Sequence, residues 1–347
     1  MKVTKSLSLR PTLVSASVDF LKEEDMDCLI TQDSIPELIS QLFNYKEEGK
    51  ALYPEIYIFD EIELIKQILT NSQFYLIGAG EKKKETMLIA LKKCAPLAEN
   101  GWAIYILRKK ESFEFGVFRA GTSILSVSIS EALIDRGAEG VKAILIHQVA
   151  EKLIEVRGIK ANPLLISYGS HETIINSPID SQLNFINTIV DKVAPELKEP
   201  TINFFRKVFL EVLQKGHGTL ACVVSESKDE ISTKFQDGIE LQNRINIPNV
   251  IKELLNNGDL QANSKLEGQL SLIIGMLQSD GITVFTDCGE IVSYNVFVKH
   301  SPELTKTVTS GGARSRTFLT LCEMIGSEIK SAYIQSQDGK IEFSDGK

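Results

Sequence analysis

Asp280 and the pair Arg314 and Arg316 are the residues whose types and spacing suit polyphosphate chemistry. Asp280 lies in Ser279-Asp280-Gly281-Ile282-Thr283-Val284-Phe285, where a carboxylate enters a short apolar run predicted to be a strand. Such a carboxylate can hold a divalent cation or take a proton from a sugar hydroxyl. About thirty residues later, Ser310-Gly311-Gly312-Ala313-Arg314-Ser315-Arg316-Thr317 passes from a glycine turn into a predicted helix. Free N–H groups at a helix N-terminus and paired guanidinium groups both favour phosphate. A carboxylate beside an anion cradle is what a nucleotide requires.

Each of these residues also has an ordinary role open to it. Asp280 before Gly281 is a turn signal, and Gly311-Gly312 suits a flexible loop ahead of a helix. Thr317 can donate to phosphate or simply occupy the first turn. Gly216-His217-Gly218-Thr219 precedes a predicted strand, and its glycines allow close approach of a ligand or serve a plain helix-to-strand turn. Asp338-Gly339 reads as a hairpin turn. Gly78-Ala79-Gly80 followed by lysines lacks the phosphate-loop and dinucleotide patterns. His147 is predicted inside an apolar helix, as a core histidine.

Three segments together resemble a known family. Asp280-Gly281-Ile282, then Gly312-Ala313-Arg314-Ser315-Arg316, then Ser336-Gln337-Asp338-Gly339 follow an order and rough spacing found in the diadenylate cyclase (DAC) domain. Its motifs are Asp-Gly-Ala, Gly-Thr-Arg-His-Arg and Ser-Glu-Glu-x-Gly, and its members join two ATP molecules into cyclic di-AMP. The resemblance covers about Phe209 to Phe343 and is closest to divergent DAC-like modules proposed as nucleotide sensors in bacterial defence. It implies an ATP-like ligand, with Asp280 holding Mg²⁺ or Mn²⁺ if a nucleotide is bound or turned over. Gly281, Ile282, Gly311, Gly312 and Ala313 would line the ligand on the motif side. Ser315, Thr317, His217, Gly218 and Thr219 would complete the contacts.

The departures from the motifs favour binding over turnover. Ser315 stands where the family has a metal-handling histidine, and a hydroxyl is a poorer ligand for Mn²⁺ or Mg²⁺. Gln337 removes one charge of the terminal acidic pair. Three functions remain open: a nucleotide sensor that relays occupancy to an effector protein, an active cyclase, and a non-binding interaction module. A cyclase would use Asp280 as metal ligand and Arg314 and Arg316 to stabilise phosphate charge, and would need a head-to-head homodimer.

The elements that must position these residues read as α/β. With 347 residues, 43% of them hydrophobic and 24% charged, the chain suits two ordinary domains. The expected division is 1–200, an α/β domain, and 201–347, a DAC-like mixed sheet flanked by helices. A net charge of −8 argues against general nucleic-acid binding. Cys28, Cys94, Cys222, Cys288 and Cys322 are scattered, as expected of reduced thiols. Neither a secretory signal nor a membrane-spanning run is visible, so a soluble cytoplasmic protein is expected. Strands are predicted at 73–78, 102–107, 113–118, 219–224, 282–285, 290–297 and 332–335, with a hairpin extension at 340–343. Helices are predicted at 36–43, 85–97, 142–156, 179–193, 201–214, 247–255 and 266–277.

Overall fold

A computed structural model of the chain describes residues 9–43, 45–69, 71–121, 125–150, 153–167, 178–214, 218–226, 235–257, 260–299, 312–336 and 340–346. Its contacts divide the chain into two units, residues 1–122 with 127–173, and residues 123–126 with 174–347. Each is a mixed sheet packed with helices, so the α/β expectation holds for both. The division falls near residue 173, ahead of the break expected at 200. Pro200 is inside a helix of the second unit, whose apolar face is buried there.

The first unit contains α1 (Leu9–Glu23), α2 (Leu29–Leu42), the small hairpin β1 (Lys46–Glu47) and β2 (Lys50–Ala51), β3 (Ile56–Phe59) and α3 (Ile62–Ile68). These are followed by β4 (Gln73–Glu81), α4 (Lys84–Cys94), β5 (Ala103–Arg108), β6 (Ser112–Arg119), β7 (Ala143–Ala150), β8 (Leu153–Gly158) and β9 (Leu164–Ser167). Seven strands pair in the order β4-β6-β5-β3-β7-β8-β9, with β3 and β5 parallel. The two-residue period of a strand sorts the core. Ile56, Ile58, Ile104, Ile106, Ile144 and Ile146 bury against α1, α2 and α4. Their neighbours Tyr57, Phe59, Tyr105, Leu107 and Leu145 bury on the other face, with α3 and a π-helical turn at Glu131–Asp135.

Segment 142–156, predicted as a helix, is instead the hairpin β7–β8. Every residue of β7 is buried, so its Ile-Leu-Ile run lacks the alternation that marks a half-exposed strand. His147 consequently lies on a strand, buried, with Nε2 3.0 Å from Glu155 Oε2. Pro36, expected in a first helical turn, is interior to α2, which begins seven residues earlier behind the Cys28 cap. Gly78 and Gly80 belong to β4, where a Cβ would lie 2.7 Å from the Phe115 ring and 2.9 Å from Thr86 respectively. Their smallness is used for packing.

The second unit contains α5 (Pro178–Ile189), α6 (Pro195–Gln214), β10 (Thr219–Val224), β11 (Phe235–Gln236), β12 (Ile239–Asn246), α7 (Ile247–Asn257) and α8 (Leu260–Gln278). Then come β13 (Ile282–Thr286), β14 (Glu290–Val298), α9 (Ala313–Met324), β15 (Ser331–Gln335) and β16 (Ile341–Ser344). The sheet order is β11-β14-β13-β10-β15-β16, with β12 also on β14, and β10 and β13 are its parallel pair. Ala221, Val223, Phe285 and Tyr333 face α5 to α8. Leu220, Cys222, Ile282, Val284 and Ile334 face α9 through Phe318, Leu321 and Met324.

A polar chain crosses the first of these cores. Gln182 Nε2 donates to Phe209 O (3.1 Å) and to the Tyr333 hydroxyl (3.3 Å). That hydroxyl donates to Gln335 Oε1 (3.2 Å), and Gln335 Nε2 donates to Val212 O (3.2 Å). All three side chains are buried, and each polar group finds the partner that burial demands. Phe185 stacks on Tyr333 at 5.0 Å between ring centroids beside this chain.

Candidate functional site

Parallel strands β10 and β13 start side by side, so the residues just before them meet at one end of the sheet. Gly218 precedes β10, and Asp280 and Gly281 precede β13. Helix α9 lies across the adjoining face with its first turn at the same end. Arg314, in that turn, directs Nη2 to Asp280 Oδ1 at 3.5 Å. Its guanidinium also rests on Gly218, where a Cβ would come within 2.7 Å of Nη1. Two motifs thirty-four positions apart therefore share one spot.

Among the described residues no side chain caps the N-terminus of α9. Gly312, in the N-cap position, has no side chain to bond the first N–H groups. The Arg316 N–H already donates to Gly312 O (3.3 Å), leaving those of Ala313, Arg314 and Ser315 without intrahelical acceptors. Ser315 and Arg316 are exposed, and the Arg316 side chain pairs with no described residue. An acceptor-rich anion suits this turn, because partial positive charge gathers at it.

Other predicted site residues have structural occupations. The Thr219 hydroxyl is buried and donates to Leu277 O (2.8 Å), tying β10 to α8. Thr317 Oγ1 donates back to Ala313 O (3.1 Å). The Ile282 side chain is fully buried against α9. Gly281 has φ +87°, and a Cβ there would lie 2.8 Å from the Asn295 carbonyl carbon, so glycine is needed for both backbone and space. His217, Gly311, Gln337, Asp338 and Gly339 lie outside the described residues.

Asp280 is 87% exposed, and no group of three or more His, Cys, Asp or Glu that could hold a metal exists among the described residues. One carboxylate suits Mg²⁺ or Mn²⁺ where phosphate oxygens and water complete the shell. It does not make a metal site by itself.

The opposite end of β13 carries a second cluster. Asp287 is fully buried, with Lys330 Nζ at 2.6 Å and Lys192 Nζ at 3.0 Å from Oδ2, while Oδ1 accepts the Glu226 N–H at 2.9 Å. Burial raises the carboxyl's pKa, but the Lys330, Glu226 and Lys192 bonds outweigh it and hold the group below the usual carboxylate value. Cys288 beside it is pushed up to about 12, by burial and then by Glu226, which makes the thiol inert. A folded-state pKa below the unfolded one stabilises above the unfolded value, and that stability is lost as pH falls through the folded one. Asp287→Asn is therefore expected to cost about 2 kcal/mol at pH 7, less than a fully buried pair because both lysines reach water. The deficit should shrink below pH 4 in chemical denaturation; a pH-independent deficit would show that charge is not its source.

Among the described residues no helix is long and apolar enough to cross a membrane. No family model, curated protein or solved structure matches the chain.

Proposed function

We propose that the second unit binds a nucleotide through its phosphates and serves as a DAC-like sensor in bacterial signalling or defence, as the motif resemblance implies. The observation that carries this reading is the Arg314 guanidinium held at 3.5 Å from Asp280, over Gly218, beside the uncapped turn of α9. Arg314 and the free N–H groups of α9 would take phosphate oxygens. Asp280 would hold Mg²⁺ or Mn²⁺ against those phosphates, and Arg316 would swing in from solvent as a second cation. Ser315 in place of an imidazole and a single carboxylate support binding over turnover. An effector protein would read the occupied state.

The test is a thermal melt of the full chain with Mg²⁺ or Mn²⁺ and each of ATP, GTP, CTP, UTP and cyclic di-AMP. A ligand at a hundred times its dissociation constant stabilises by about 2.7 kcal/mol, which is readily seen. Chromatography of the same samples reports any dinucleotide formed, and such a product would replace the sensor with a cyclase. If none of the five ligands moves the transition and no product forms, the nucleotide reading is wrong.

A further inference from the structure

Six non-glycine residues among those described have positive φ: Asp25, Glu48, Asn71, Asn100, Asp237 and Asn295. Five lie in turns or bends, where such a conformation closes the chain. Asn295 (φ +53°) alone lies inside a strand, β14. The pairing of β13 with β14 slips between Ile282↔Val296 and Val284↔Ser293, so Asn295 occupies a bulge. Glycine would adopt this backbone at no steric cost, and a bulge is where a strand re-aims a side chain. The residue is half-buried, and its carboxamide bonds no described residue. Its backbone presses on Gly281, the residue after Asp280, so the bulge belongs to the end of the sheet where Asp280 and Arg314 meet.

A carboxamide places a donor and an acceptor side by side. Phosphate offers only acceptors, whereas a nucleobase edge offers both, as when asparagine pairs with the N6/N7 edge of adenine. We infer that Asn295 reads the base of the nucleotide bound at this site, while Arg314 holds its phosphates. This rests on the nucleotide-binding reading and adds a source of base preference to it.

The test compares the full chain with its Asn295→Gly and Asn295→Asp variants by calorimetry against ATP, GTP, CTP and UTP, and against the 2′-deoxy form of the preferred one. Asn295→Gly keeps the left-handed backbone open, and Asn295→Asp keeps the shape but replaces the donor. Both should melt as the wild type does. The preferred triphosphate should lose about tenfold in affinity in either variant, with the others changing little, so that base preference collapses. Arg314→Ala should weaken all four alike. If the variants bind every triphosphate as the wild type does, or the wild type binds all four equally, the base-reading role is overturned and nucleotide binding stands. A loss for the ribonucleotide that vanishes with its 2′-deoxy form assigns Asn295 to the sugar and also overturns it. Should the wild type bind none of them, both readings fall.

Discussion

Arg314→Ala is expected to remove the nucleotide-dependent rise in melting temperature and to leave the ligand-free transition almost where it was. The Arg314–Asp280 pair is exposed (36% and 87%), and such pairs contribute only about 0–1 kcal/mol to folding. Charge-assisted hydrogen bonds to phosphate contribute more, about 1.5–3 kcal/mol, which is roughly 10- to 150-fold in affinity. Arg314→Lys should fall between, since it keeps the charge and loses the planar fork. Gly218→Ala provides a control from the other side of the contact. Its Cβ would sit 2.7 Å from Nη1 and displace the free end of a flexible side chain, which is cheap for folding but costly for a ligand that needs the guanidinium there. Calorimetric titration beside thermal melts separates the two effects. Wild-type affinity in Arg314→Ala would remove this residue from the phosphate site.

The largest stability loss in the first unit is expected from Glu24→Ala. Glu24 is 2% exposed, and its carboxylate accepts three consecutive backbone N–H groups in the β8–β9 turn. Oε2 takes Ile159 at 3.0 Å, and Oε1 takes Lys160 at 2.8 Å and Ala161 at 2.5 Å. Hydrogen bonds to a charged group contribute about 1.5–3 kcal/mol each, but water can reach this turn, so a total near 3 kcal/mol is expected. For a unit of this size that corresponds to about 6–12 °C in melting temperature. Gly158→Ala should do similar damage, because its Cβ would lie 2.2 Å from the Glu24 carboxyl carbon and expel the carboxylate. The two changes break the same interaction, so the double variant should resemble either single one. Additive losses in denaturant titration would show that Gly158 and Glu24 act separately.

Sequence patterning reached the elements whose two sides differ. Strands β5 and β6 were legible as two apolar runs separated by the polar Lys109-Lys110-Glu111. Strands β10 and β13 were legible as short apolar runs after glycine. Where both faces are buried, periodicity says little, and β7–β8 was misread as a helix for that reason. The strand β3, four buried residues between Glu55 and Asp60, was too short to register. At the candidate site, the sequence ordered Asp280 and Arg314 but could not show that parallel pairing of β10 with β13 brings Gly218 to them. Thr219 and Thr317 looked like phosphate donors because hydroxyl type is visible and hydroxyl occupation is not. Asn295 carried no signal, since Tyr294-Asn295-Val296 reads as ordinary strand and its bulge depends on the partner's register.

The glutamine–tyrosine relay inside the second unit has a bearing on how the site comes into place. Sliding β15 by one position would turn Tyr333 and Gln335 toward α9 and present Ile334 to the Gln182 amide, stranding a donor in hydrocarbon. The relay thus proofreads the strand's alignment. Because α9 runs into β15 through only a few residues, a correctly seated β15 also sets how far along the sheet Arg314 can reach. Assembly of this interior and delivery of the guanidinium to Asp280 are in that sense one event: a lesion at Gln335, which pairs with Thr219 at the same end of the sheet but faces the opposite core, should blunt the site through the strand's alignment.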